Sequence, residues 1–192
     1  MKENKYDDDG FFEEYSKFRR SVEGLTGAGE WYEFEKLLPD FSGRRVLDLG
    51  CGYGWHCIYA AENGAEKVTG VDISEKMIAV ARNKTKFSNV CCEKIPIEDI
   101  GFPAESFDVV ISSLALHYVE NINEVYSKVW EMLSWGGRLV FSVEHPVFTA
   151  CGSQQWHKGG KGNILHWPVD NYFMEGGKLY FWGKRLLNIT EP

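Results

Sequence analysis

The sequence predicts a doubly wound α/β fold, a mostly parallel sheet with helices on both faces. Two observations carry this. From residue 45 onward, short apolar runs alternate with segments of helical periodicity, the pattern of strands joined by crossover helices. The string Val46-Leu47-Asp48-Leu49-Gly50-Cys51-Gly52-Tyr53-Gly54 then reads as a strand entering a loop with glycine at every second position. A parallel sheet of this kind must be covered on both sides. At 192 residues the chain suits one domain.

Each element has a local reason. Phe11, Phe12, Tyr15 and Phe18 fall at near-helical spacing and predict an amphipathic helix over 11–23. A second helix is expected over 30–38, stopped by Pro39 because the residue before proline avoids the helical region. Gly43 turns the chain into the first strand. A helix over 55–63 follows the glycine loop, and residues 67–72 form the second strand, closed by Asp72. Ser74 is a good N-cap for a helix through 77–84. Strands are expected over 90–92 and 107–113, then a helix over 122–133. Gly136-Gly137 turns that helix into a fifth strand over 138–143. The organisation is thus a helical lid (1–40), a core (41–148) and an insert or tail (149–192).

Composition excludes several classes. No run of about 18 apolar residues exists, so no membrane-spanning helix is expected. The start is acidic (Tyr6-Asp7-Asp8-Asp9) with no apolar segment behind it, so no signal peptide is read and a cytoplasmic location is expected. A net charge of −7 disfavours a nucleic-acid partner. Lys17, Arg19 and Arg20 form a small basic cluster that reads as a solvated helix face. The five cysteines include no C-x-x-C pair, so neither a disulfide framework nor a zinc site is expected. Cys51, between two loop glycines, reads as a packing residue.

The glycine loop carries the functional signal. Glycines tolerate positive φ and let a ligand approach the backbone, and an acid ending the next strand can hold ribose hydroxyls. A nucleoside-containing ligand follows. The dinucleotide fingerprint is G-x-G-x-x-G; here the third glycine comes one residue early, and Asp48 stands two residues before the first. An acid beside the loop is unfavourable for a pyrophosphate but suits a ligand with an ammonium and a sulfonium. That spacing opposes a nicotinamide oxidoreductase.

From Asp48 to Gly54, with Asp72 at the right distance, the chain resembles the class I S-adenosylmethionine-dependent methyltransferases, small-molecule branch, which have a Rossmann-like sheet. The resemblance covers about residues 6–148 and includes Ile97-Glu98-Asp99 and the run from Ser112 to Tyr118. It implies S-adenosyl-L-methionine as cofactor, held by Asp48 and the backbone of Gly50, Cys51 and Gly52. It further implies Asp72 on the ribose, Ile73 and Met77 on the adenine face, and Ile97 and Glu98 at its edge. Ser113 would offer a carbonyl to the ammonium, and Arg19 would pair with the carboxylate. The acceptor implied is a small molecule that receives a methyl group on O, N or C.

Substrate residues follow from position. His117, Tyr118 and His145 come after the fourth and fifth strands, where open α/β sheets bind ligands. His117 or His145 is a candidate base, since imidazole titrates near neutrality; a structural histidine is the alternative for each. Trp156, His157, His166, Trp167, Tyr172 and Phe173 line a pocket or pack the insert. The family's final antiparallel hairpin is expected to be incomplete, with 178–182 supplying one strand at most. A non-catalytic module that binds the cofactor is therefore a competing function. An uncovered sheet edge is expected to be covered either by the chain's own 151–192 tail or, the favoured reading, by a second chain in a homodimer.

Overall fold

The computed structural model describes residues 4–153 and 155–172, and the backbone of 177–182 and 185–190. Its centre is a five-stranded sheet built from β1 (Arg45–Leu49), β2 (Lys67–Asp72), β3 (Val90–Lys94), β4 (Phe107–Ser113) and β5 (Leu133–Ser142). The order is β3-β2-β1-β4-β5, every pair parallel. The expected α/β class is the one found.

The period-two alternation of β1 divides the core. Val46 joins Val68, Val109 and Ile111 on one face, under α4 (Trp55–Glu62) and α5 (Glu75–Lys84). Leu47 and Leu49 join Val71 and Val110 on the other, under Val125, Val129 and Met132 of α6 (Ile122–Met132). Asp108 clamps the start of the sheet. Its Oδ2 accepts from Arg45 N at 2.9 Å and its Oδ1 from Arg45 Nη2 at 2.9 Å and Ser134 Oγ at 2.7 Å. These bonds hold the Asp108 carboxyl well below the usual carboxylate range.

The expected elements recur with three adjustments. The single helix over 11–23 is two, α1 (Asp9–Ser16) and α2 (Arg19–Val22), because Phe18 between them is extended at φ −67°, ψ 149°. The helix near Pro39 is α3 (Trp31–Leu37), ended by an extended Leu38. The fifth strand begins earlier than expected. Leu133 pairs with Phe107 and Arg138 with Val109, so residues 134–137 bulge out and leave Trp135 99% exposed.

The tail holds α7 (Pro146–Thr149), a small hairpin of β6 (His157–Lys158) and β7 (Ile164–His166), and a second hairpin of β8 (Gly177–Trp182) and β9 (Arg185–Thr190). Residues 178–182, expected to supply at most one strand of a terminal hairpin, lie in β8, and β9 pairs with it without extending the five-stranded sheet among the described residues. The two strands pair in register from Gly177↔Thr190 to Trp182↔Arg185, as a sheet of their own. Trp167 stacks on Phe148 at 5.1 Å and donates Nε1–H to Val147 O, so these tail aromatics pack the insert. Phe173 lies outside the described residues.

Gly50 is a point of close approach in the loop. It sits at φ +74°, and a Cβ there would lie 2.4 Å from the Ala115 Cβ. Gly50→Ala should destabilise the fold by about 2–4 kcal/mol, combining left-handed strain with overpacking. Adding Ala115→Gly should restore part of that loss. Urea denaturation checks both, and an unchanged midpoint for Gly50→Ala would contradict the packing described.

Candidate active site

A crevice opens where the strand order reverses, beyond the C-terminal ends of β1 and β4, as in other open α/β sheets. The Gly50 and Cys51 N–H groups both donate to Val71 O at 2.9 Å, folding the loop back over β2. Gly52 then adopts φ +53° and faces open space, with no atom within 4 Å of where a Cβ would stand. Asp72 fixes this geometry. Its Oδ2 accepts from Gly52 N at 2.9 Å and its Oδ1 from Ser74 N at 2.9 Å. Burial raises the Asp72 carboxyl pKa, against the pull of those backbone bonds.

The cleft encloses about 580 Å³, a volume suited to a small ligand. The loop supplies Gly50, Cys51 and Gly52 to its lining. Asp72, Ile73 and Met77 come from β2 and α5, Ile97 and Glu98 from a short 3-10 turn, and Ser113 from the end of β4. All of these were expected from sequence.

The N-terminal segment forms one wall. Asp7 accepts from Ser74 Oγ and from Lys76 N at 3.1 Å, rooting the segment at the start of α5. Tyr6 then meets Phe11 and Tyr15 edge-on at 5.2 and 5.3 Å, and Tyr15 meets Tyr53 at 5.7 Å.

Three expected residues lie elsewhere. Arg19 points to solvent and pairs with Glu23 at 2.8 Å; Arg20 lines the cleft instead, bonded to Glu30 Oε1 at 3.0 Å. Ser113 Oγ donates to the same Glu30 oxygen at 3.0 Å. Asp48 is buried behind the loop and contributes nothing to the cleft wall; Cys57 Sγ donates to its Oδ2 at 3.4 Å. Burial lifts Asp48 to about 7. His145 caps α7, its Nδ1 accepting from Val147 N at 3.1 Å, and lies outside the cleft. His117 lines the cleft, and burial pushes it down to about 4.

Sequence reasoning missed Tyr6, Trp55, His56 and Glu144, all cleft-lining. His56 packs against Trp31 and Phe34, and burial lowers it to about 4. Burial raises the Glu144 carboxyl. Both His117 nitrogens and Trp55 Nε1 are buried without a partner. Orphan polar atoms around a glycine that faces open space fit a polar ligand seated on the loop.

Residues 47–141 match the methyltransferase-domain family. A crystal structure assigned as an S-adenosylmethionine-dependent methyltransferase from Listeria monocytogenes superposes with a TM-score of 0.79 at 50% identity. It covers 84% of this chain and 76% of that one. The chain belongs to the S-adenosylmethionine-dependent methyltransferases. An uncharacterised Haemophilus influenzae protein is 38% identical over 94% of this chain and 74% of its own length. A demethylmenaquinone methyltransferase from Tropheryma whipplei is 38% identical over 58% of this chain. The chain spans only 46% of that relative.

S-adenosylmethionine is therefore this methyltransferase's cofactor. Gly52 and Asp72 meet its needs directly. One presents bare backbone to an open cleft and the other a buried acid at the end of β2.

His117 gives a pH signature. Its folded pKa lies near 4, below the ordinary 6.5, so the unfolded chain binds the extra proton between those values. The stability this group contributes is present above about 6.5 and is lost as pH falls towards 4. Thermal melts should therefore show wild type losing ground to His117→Asn across that window. Parallel curves would mean His117 is not buried neutral.

Proposed function

We propose that this methyltransferase alkylates a small, largely apolar or aromatic acceptor bound between the glycine loop and the N-terminal segment. The observation that carries the reading is His117, buried in the cleft wall with both ring nitrogens unpartnered. Tyr6, Phe11 and Tyr15 offer an aromatic wall, and the enclosed volume limits the acceptor's size. The Tropheryma relative, named for a quinone substrate, supports a small-molecule acceptor.

When bound, S-adenosylmethionine supplies a methyl group already activated by a sulfonium. The residues then have three tasks. Asp72 accepts hydrogen bonds from the ribose while it keeps Gly52 in place. Arg20, freed in part from Glu30, pairs with the carboxylate. His117 accepts a hydrogen bond from the acceptor's hydroxyl or amine and holds it in line; positioning of this kind is worth up to about 7–11 kcal/mol. Residues 4–28 act as a lid that excludes water.

Arg20→Ala should weaken S-adenosylhomocysteine binding about 10-fold or more, since hydrogen bonds to charged groups contribute about 1.5–3 kcal/mol. Arg19→Ala should leave it unchanged. Calorimetry separates the two, and equal effects would remove Arg20 from the site. A radiolabelled methyl-transfer screen over small phenols, quinols and amines tests the reaction. His117→Ala should lower kcat for the acceptor found by at least 10-fold while S-adenosylhomocysteine affinity holds. Cofactor binding with no transfer to any acceptor would favour the non-catalytic module.

We also propose that the chain dimerises through β5. That strand ends the sheet order, and β8 and β9 pair only with each other among the described residues. Trp130, Trp135, Phe141 and Val143 are exposed along this side, and uncovered edges are normally paired or shielded. Sedimentation at micromolar concentration should give twice the chain mass; a soluble monomer would defeat the dimer.

A further inference from the structure

Three cysteines far apart in sequence meet behind the cofactor loop. Cys51 belongs to the loop, Cys57 to α4 and Cys92 to β3. Their Sγ atoms all lie within 4.8 Å of one another, and all three residues are buried. Gly70 of β2 makes the room. A Cβ there would stand 2.6 Å from Cys57 Sγ and 3.0 Å from Cys51 Sγ.

A carboxylate completes the group. Asp48 is 1% exposed, and its Oδ2 touches Cys57 Sγ at 3.4 Å, while its Oδ1 is buried with no partner. A core built for packing alone gains nothing from an acid with an orphan oxygen beside three thiols, since an unmade buried bond costs about 1–3 kcal/mol. A bound cation would satisfy it.

We propose that Cys51, Cys57 and Cys92 bind one thiophilic divalent ion of the zinc–cadmium type, with Asp48 supplying an oxygen ligand. Soft thiolates select such metals, and three sulfurs with one oxygen make a closed tetrahedral set. With metal–sulfur bonds of about 2.3 Å, the sulfurs would stand about 3.8 Å apart. The observed cluster needs a contraction of about 1 Å at most, within reach of side-chain rotation. Each sulfur–metal bond forms as its thiol proton leaves to solvent, and no electrons are transferred. Cys51 also lines the cleft, which gives the ion a route in. The spacing 51, 57, 92 hides the cluster from motif reading, because only the fold brings the three together.

The test uses the reduced, chelator-stripped full chain titrated with Cd²⁺ and needs no cofactor, so it stands apart from the methyl-transfer reading. One equivalent should bind and give thiolate-to-cadmium charge-transfer absorption. Cys57→Ala and Cys92→Ala should each weaken binding at least 10-fold, while Cys91→Ala, at an exposed neighbour, should not. If those variants fail to fold, X-ray absorption on the Zn²⁺-loaded wild type decides: three sulfur neighbours support the site. Coordination by nitrogen and oxygen alone, binding that survives both variants, or no thiolate band would each overturn it.

Discussion

The Asp72 carboxylate is the constraint on which the rest of the site depends. One oxygen holds the N–H of Gly52 and the other that of Ser74, so the loop and the start of α5 are positioned by one side chain. Ser74 in turn caps α5 through Met77 N at 3.1 Å and donates its hydroxyl to Asp7. Asp7 also accepts from Asn4 Nδ2 at 2.6 Å. A single relay therefore runs from the cofactor loop to the segment that walls the cleft. Charge-assisted bonds of this kind are about twice as strong as neutral ones, and Asp72 spends two of them on backbone. Loss of Asp72 would therefore loosen the loop and the N-terminal wall together.

What was legible in the sequence was local. The glycine loop, the end of β2 at Asp72 and the Ser74 cap are each encoded within a few residues, and each recurs where expected. The errors came from orientation. Arg19 and Arg20 are adjacent, and adjacent helical residues point about 100° apart. The break at Phe18 resets that phase, so the basic residue facing the cleft is the second. Asp48 was legible in principle. It shares strand parity with Val46, whose face lies under α4, and so it points away from the crevice. His145 follows a strand end as His117 does, yet its ring is used to cap α7.

Non-local assembly explains what was missed. His56 and Glu144 reach the cleft only after α4 and the end of β5 dock from opposite sides, and no spacing rule joins them. The three core cysteines met for the same reason. The strand β9 was not read because Leu186-Leu187 breaks the alternation by which a half-buried strand is recognised. Cross-strand pairing with β8 supplies what the pattern lacks.

The electrostatics of the cleft favour positioning over acid–base chemistry. His117 at about 4 is a weak base at neutral pH, whereas an efficient general base has a pKa near the working pH. Proton transfer of that kind typically supplies a factor of 10²–10⁴, less than the alignment of two bound reactants can provide. Glu144 is shifted in the complementary direction, its carboxyl raised by the same burial. Desolvation thus disfavours the charged form of both groups. The cleft is walled by Tyr6, Phe11 and Tyr15, and an aromatic wall of this kind suits a site from which water is excluded. On the proposed function the orphan nitrogens of His117 have a physical role, since an acceptor that reached them would satisfy them.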